Sequence, residues 1–551
     1  MRALPSACLA ALLLFPHGPG RADDGIGDQL GTVRFETGGT PEARGHVVRG
    51  VKLLHHMMYP EADLEFATAA QADPACALAW WGRAMTIIHP LWPDMPTAAE
   101  QKLGADLIQK GLACPALTPR ERGYLEALNV YFGSPDAADY PARLRDLDRA
   151  WGSLSDQHPD DLDALAFSAL YHLAPARFVP PDRSYHLQLE AARRLQAVLA
   201  MIPDHPGGQH YKIHAYDFPL LAGRALEVCD TYSSIAPDVP HALHMPTHIF
   251  TRRGLWDQSI DYNLRSAAAA RKINQSTGAL SSHYPHAYDY LAYAYLQTGR
   301  YAKAAAIRDE LLTLNGPYSP VQRAAMSFAF AAVPARYALE RQAWAEAAAL
   351  PLHQPAAFPW SKNDLNCDSI VLFARAIGAA RSGRLDAAKS AIAELEQIHR
   401  ELAASKKPAY WASQAETQAL AARGWVAFAE KHSDEAVALL RRALELEANA
   451  DKEAVTPGEV LPAGDLLGDL LLELKRPAEA LAAYETVLAS SPNRLNTLFG
   501  AGLSAEQAGE PAKAARYFEQ VVAVAAHADA GIERVDYARA FLKHGSPIAA
   551  R

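Results

Sequence analysis

The chain repeats itself every 34 residues, and that period constrains its fold more than any other feature. Pro203 and Pro237 lie 34 apart, as do Asp204 and Asp238, and Pro206 and Pro240. Near the C-terminus Gly468 returns as Gly502, Ala480 as Ala514 and Tyr484 as Phe518, at the same interval of 34. A period of this size marks an array of small units, each of which buries its apolar face only by stacking on its neighbours. The units read as helical. Ala, Leu, Glu and Arg recur with helical spacing and Val/Ile/Thr alternation is rare. Breakers cut the pattern at Asp73-Pro74, His158-Pro159, Pro203-Asp204, Pro237-Asp238 and Ser491-Pro492. In such a unit the small residue lets two helices approach, the aromatic fills the gap between them, and proline ends the second helix.

The stretches Leu467 to Pro492 and Tyr290 to Ala304 (YLAYAYLQTGRYAKA) carry this pattern well, and further units centre on Ala84, Ala169 and Ala436. Here the sequence resembles the tetratricopeptide repeat (TPR) family over most of its length. The resemblance implies an all-α, right-handed superhelical solenoid of helix–turn–helix repeats, with the first helix of each pair lining the concave face. Four segments are also similar to a group of exported bacterial TPR proteins. They are His210 to Asp217 (HYKIHAYD), Pro240 to Phe250 (PHALHMPTHIF), Phe373 to Gly383 (FARAIGAARSG) and Val455 to Leu471 (VTPGEVLPAGDLLGDLL). That second likeness implies a fold and a location but no chemistry.

The N-terminus reads as a secretory signal peptide over residues 1–22: Arg2, an apolar run from Ala7 to Phe15, then small residues before Asp23. A periplasmic or secreted protein is expected. The mature chain divides into a TPR-like array with a His-rich groove over 23–315 and a second TPR array over 316–551. No stretch reaches the ~18 apolar residues a membrane span needs. Net charge is −9, so no basic surplus exists to neutralise phosphates, and nucleic acid is not an expected partner. Cys76 and Cys114 are near enough in sequence to bridge, but the expectation for them, Cys229 and Cys367 is four buried, inert thiols.

Histidine is the outlier. Eight of the 21 copies fall between His205 and His286. His210 and His214 are spaced i, i+4, and so are His244 and His248; the two pairs are themselves 34 apart. An i, i+4 pair shares one helix face with Cβ atoms roughly 6 Å apart, close enough to hold one metal ion. The TPR resemblance adds a register. It places His210 and His244 at position 5 of their units, His214 and His248 at position 9, His241 and His286 at position 2, and Asp289 at position 5. Those positions face the groove in the family. His55 and His89, also 34 apart, fall near position 13 of their first helices, again facing inward.

This pattern predicts a metal site with His55, His89, His210, His214, His244, His248 and His286 as ligands. Asp289 and Tyr211 are the candidate catalytic groups, Asp289 as a bridging or orienting carboxylate and Tyr211 as a hydrogen-bond donor. Imidazole suits copper, zinc, iron and nickel. Met57, Met58, Met85 and Met245 lie beside these histidines in sequence, and such soft thioethers tilt the expectation toward copper, with zinc or iron as alternatives. The leading expectation is a copper-dependent, multi-histidine oxidoreductase acting on a small molecule. The alternatives are a zinc-dependent hydrolase on the same residues, or a non-enzymatic periplasmic module that handles metal or binds a protein or peptide. The C-terminal array, with few histidines, is expected to supply partner binding or rigidity. Gly-rich phosphate loops, a GxSxG elbow and HExxH are absent from the sequence. Trp81 is expected to wall the groove and Trp80 to sit in the core. Glu453 and Glu459 are expected to be solvated, and Pro246, between His244 and His248, to bend its helix.

Overall fold

The computed structural model describes residues 25–92, 95–133, 140–450 and 453–545. The signal peptide expected over 1–22 lies outside them. Among the described residues the chain is all-α, with only an isolated bridge between Leu280 and Tyr318. None of these helices is long and apolar enough to cross a membrane.

Successive helices form hairpins. Pro41–His55 turns into Tyr59–Ala72 and packs on it; Ala463–Glu473 does the same with Pro477–Ser490, and Leu495–Gln507 with Pro511–Val524. Proline stands in the first turn of Pro41–His55, Pro477–Ser490 and Pro511–Val524, where its missing N–H has no partner to lose. Thr97 and Thr118 close capping boxes with Glu100 and Glu121.

The packing residues that set the period do the work the sequence suggests. The Tyr484 ring is wedged between two glycines: a Cβ at Gly468 would lie 2.5 Å from it, and one at Gly500 2.4 Å. Near the other end of the chain Phe66 sits in the same way between Gly50 and Gly82, with would-be Cβ distances of 2.8 and 2.2 Å. The aromatic of one hairpin thus keys into the first helix of the next. Alanine at Gly500 would gain ~1 kcal/mol of helix propensity. Overpacking costs ~1–3 kcal/mol, and the ring cannot retreat because Gly468 backs it and Asp469 holds its hydroxyl at 2.6 Å. Gly500→Ala is therefore expected to destabilise the chain by ~1 kcal/mol net. Urea unfolding checks this, and an unchanged or raised midpoint would contradict it.

The two halves of the chain meet over the connection between Ser433–Ala448 and Ala463–Glu473. Val455, Thr456, Val460 and Leu461 of this connection are buried. Arg336, fully buried, donates to Thr456 Oγ1 at 3.0 Å and to the Gly458 carbonyl at 2.8 Å, and pairs with Asp289. Glu453, expected in solvent, is buried and ion-paired with Arg177 at 2.8 Å. Trp81 and Trp80 exchange their expected places. Trp81 is fully buried against Phe35, Phe66, Tyr124 and Trp151, while Trp80 is partly exposed and donates to the Pro74 carbonyl at 3.0 Å. Cys76, Cys114, Cys229 and Cys367 are free thiols.

Candidate metal centre

Four short helical segments supply six imidazoles to one place. Pro206–Tyr216 carries His210 and His214; Pro240–His244 carries His241 and His244; Pro246–Arg252 carries His248; His283–Gln297 carries His286. The i, i+4 spacing puts each pair on one face. Pro246, which has no N–H to give to the ladder, stands at the start of the second of these two segments, with Met245 between them. The side chains sort into two trios, His210–His214–His241 and His244–His248–His286, each with its ligand-type atoms within 4.8 Å of one another. In both, an i, i+4 pair is completed by one histidine from the next repeat. The trios adjoin: the His214 and His248 ring centroids lie 6.2 Å apart, and those of His241 and His244 6.4 Å.

In the first trio the three Nε2 atoms converge, and in the second those of His244 and His248 do. His210 Nε2 is 3.1 Å from both His214 Nε2 and His241 Nε2, and His244 Nε2 is 3.0 Å from His248 Nε2. Two nitrogens on one tetrahedral ion at ~2.0 Å would stand ~3.3 Å apart. The partners of the opposite ring nitrogens fix the tautomers. His210 Nδ1–H donates at 2.7 Å to the His55 carbonyl, an orphan acceptor at the end of Pro41–His55. His244 Nδ1–H donates at 2.8 Å to Asn263 Oδ1, whose amide is oriented by its own donation to the Ser259 carbonyl at 2.8 Å. His248 Nδ1–H donates at 2.9 Å to Asp217, whose other carboxylate oxygen takes Arg252 Nε–H at 3.0 Å. With its proton on Nδ1, neutral His244 presents a bare Nε2 lone pair toward His248 Nε2.

The surroundings oppose a second proton on three of these rings. Burial first, then neighbouring imidazoles, hold His210, His241 and His244 well below the ordinary histidine range. Burial pushes His283, beside His241, down to about 4. His241 Nδ1 is buried with no hydrogen-bond partner. Three of the six rings thus have Nδ1 tied to a carbonyl, an amide and a carboxylate, an arrangement whose chemistry suits a metal ion held by histidine ligands with orienting partners. Tyr290 closes one side. Its ring lies 4.7 and 4.9 Å from those of His244 and His248, and its hydroxyl donates to the Thr456 carbonyl at 3.1 Å.

His55, His89, Asp289 and Tyr211 are placed outside the trios. His55 Nε2–H donates to Asp163 at 3.0 Å and its Nδ1 accepts from Tyr211 at 3.0 Å, so both ring nitrogens and the Tyr211 hydroxyl are already committed. His205 donates to the same Asp163 oxygen at 3.2 Å and accepts from Gly208 N–H at 3.1 Å. Burial pushes the Asp163 carboxyl up, but His205 and His55 outweigh it and hold it below the usual range. His55, Asp163 and His205 thus form a third buried group of ligand-type side chains, joined by hydrogen bonds, with the second Asp163 oxygen left without a partner; its link to the trios is the His55 carbonyl. Gly207 permits this approach, since a Cβ there would lie 2.4 Å from His55 Nδ1. His89 follows the end of Ala77–Met85; its Nε2–H donates to the Thr86 carbonyl at 3.1 Å and its ring packs on Tyr59 at 4.2 Å. Asp289 is paired with Arg336, and burial pushes its carboxyl up to about 6 even so. The Met57 sulfur accepts from Trp92 Nε1–H at 3.3 Å and the Met85 sulfur from Tyr171 at 3.7 Å; with Met58 and Met245 they belong to the apolar core.

Residues 465–494, the Ala463–Glu473 and Pro477–Ser490 hairpin, match the tetratricopeptide repeat family. That hairpin is a tetratricopeptide repeat, and the fold around it is an all-α array of similar hairpins. Among solved structures the chain aligns with yeast Tom70 at 12% identity and a TM-score of 0.30, over 90% of this chain and 95% of that one. It aligns with human IFIT1, in a dimer with m7Gppp-AAAA, at 13% identity and a TM-score of 0.34, over 78% and 87% of the two chains. No curated protein matches it.

Proposed function

We propose that this TPR scaffold is a metalloprotein holding two metal ions, one in each imidazole trio, and that it carries out oxidation–reduction on a small molecule. The observation that carries the reading is the pair of Nε2 atoms of His244 and His248, 3.0 Å apart with both Nδ1 atoms committed as donors. A cation bound by both nitrogens would hold them near the separation that two ligands of one ion require. Copper is the ion proposed, because divalent copper binds nitrogen donors most tightly of the first-row metals. It would supply one-electron chemistry and an oxygen-binding centre. The chain's own part is to orient the ligands through Asp217, Asn263 and the His55 carbonyl, and to keep water out with Tyr290 and Trp92, the latter 5.8 Å from His241 and 5.7 Å from His286.

His214 favours a second reading. It alone of the six is not fully buried, and a three-histidine set with an open side also suits zinc and a metal-activated water. The apolar run from Ala7 to Phe15 supports export of either form, and the C-terminal repeats are the proposed surface for a protein partner. Metal analysis of protein purified without an affinity tag tests the reading. Copper near two equivalents with oxygen uptake is expected. Two zinc ions with ester or amide turnover would favour the hydrolase, and protein that retains no metal after reconstitution would leave only a binding scaffold.

A further inference from the structure

A cleft of about 470 Å³ opens beside the trios, between the segment 176–188 and the later helices Ala409–Ala429 and Ser433–Ala448, with His214 and Asp217 on its wall. Its volume is that of a small-molecule site. Leu91, Leu173, Phe178, Leu187, Phe218 and Tyr410 make it chiefly apolar. Each carboxylate and guanidinium on its lining already has a counter-group or donor within the protein. Arg177 pairs with Glu453 at 2.8 Å, Asp182 takes Ser184 at 2.6 Å and His186 at 2.5 Å, and Asp217 holds Arg252 and His248. A charged ligand would have to break one of these pairs and would be stripped of water against an apolar wall, which is costly. Five of the six trio imidazoles are buried, and His214 is the one that reaches the cleft.

We infer that this cleft is the substrate pocket of the candidate metal centre and takes a neutral, largely apolar small molecule with its polar end turned toward His214. The inference rests on the reading of the trios as metal sites, but its test does not depend on turnover. The probe is N-phenyl-1-naphthylamine, neutral and emissive in apolar surroundings, titrated into the full chain with metal content measured on the same sample. Saturable binding of one equivalent is expected. The anionic 8-anilinonaphthalene-1-sulfonate is expected to bind at least tenfold more weakly. Val179→Asp changes an exposed residue of the cleft rim and is expected to weaken the neutral probe about tenfold. Leu220→Asp, an equally conservative exposed change off the cleft lining, is expected to leave it unaltered. Loading with copper is expected to quench the bound probe, since both share His214. Two metal equivalents without saturable probe binding, equal binding by Val179→Asp, or tighter binding of the anion would overturn the pocket and leave the trios standing. Saturable binding with no metal retained would overturn the trios and the pocket's assignment to them.

Discussion

Replacing His244 by alanine is expected to empty one of two metal sites and leave the other occupied. His244 Nε2 is the atom on which its trio is built: it lies 3.0 Å from His248 Nε2, and the His244 ring centroid is 4.4 Å from that of His286. The other trio takes its three imidazoles from Pro206–Tyr216 and Pro240–His244 and shares no ligand with this one. Losing an orienting partner alone weakens metal sites by ~10–100-fold, so losing a ligand is expected to weaken this site by more than ~100-fold. Metal content should fall from two equivalents to one. Asp217→Asn is the milder companion, because a neutral amide is a weaker acceptor for His248 Nδ1–H than a carboxylate and gives up the pairing with Arg252; weakening by ~10–100-fold is expected there. Isothermal titration against both variants reads these differences. Full occupancy in His244→Ala would mean that the ion, if any, lies elsewhere.

The second large effect belongs to Arg336. Its guanidinium is fully buried and joins Asp289, Thr456 and Gly458, so it ties the segment over Tyr290 to the helix His283–Gln297 that also carries His286. Removing one partner of a buried ion pair leaves the other charge stranded, at ~3–5 kcal/mol. Arg336→Met is therefore expected to destabilise the chain by about that amount, read from thermal or urea unfolding. Adding Asp289→Asn to it should restore part of the loss. Asp289 also gives a pH signature. Its folded carboxyl, pushed up to about 6, stands above the ~3.9 of an unfolded aspartate. The folded state therefore binds the proton more tightly. The stability it contributes is fully present below pH ~4 and is lost as pH rises through about 6. Asp289→Asn is expected to flatten that fall. A variant with the same pH profile as the parent would contradict the assignment.

Much of the scaffold is visible in the chain. The 34-residue recurrence of Gly468 and Tyr484 as Gly502 and Phe518 is a packing rule, and the wedge of Tyr484 between Gly468 and Gly500 shows what it packs. The i, i+4 pairs at His210 and His244 are legible for the same reason, since one helix turn dictates a shared face. The grouping into trios needed the third dimension. Position 2 of the next repeat completes each pair, and the gap from His241 to His286 exceeds 34 because Trp256–Thr277 is a long helix. His55 and His89 have the right interval but stand apart from the two trios. His55 ends its helix and turns its ring to Asp163, and His89 lies beyond Thr86, where its helix has stopped, so position 13 does not exist for it. Asp217 was present in HYKIHAYD without any sign that it would meet His248 of the next repeat. Asn263, Tyr290 and Thr456 reach the site from sequence distances that periodicity does not address.

The central claim is that imidazoles one repeat apart chelate ions together. It is tested most directly by an anomalous difference map from a crystal of the metal-reconstituted chain, collected at the absorption edge of the bound element. Two peaks are predicted, one among His210, His214 and His241 and one among His244, His248 and His286. A map with no peak in reach of those Nε2 atoms, or with its metal at His55, Asp163 and His205 instead, would contradict it.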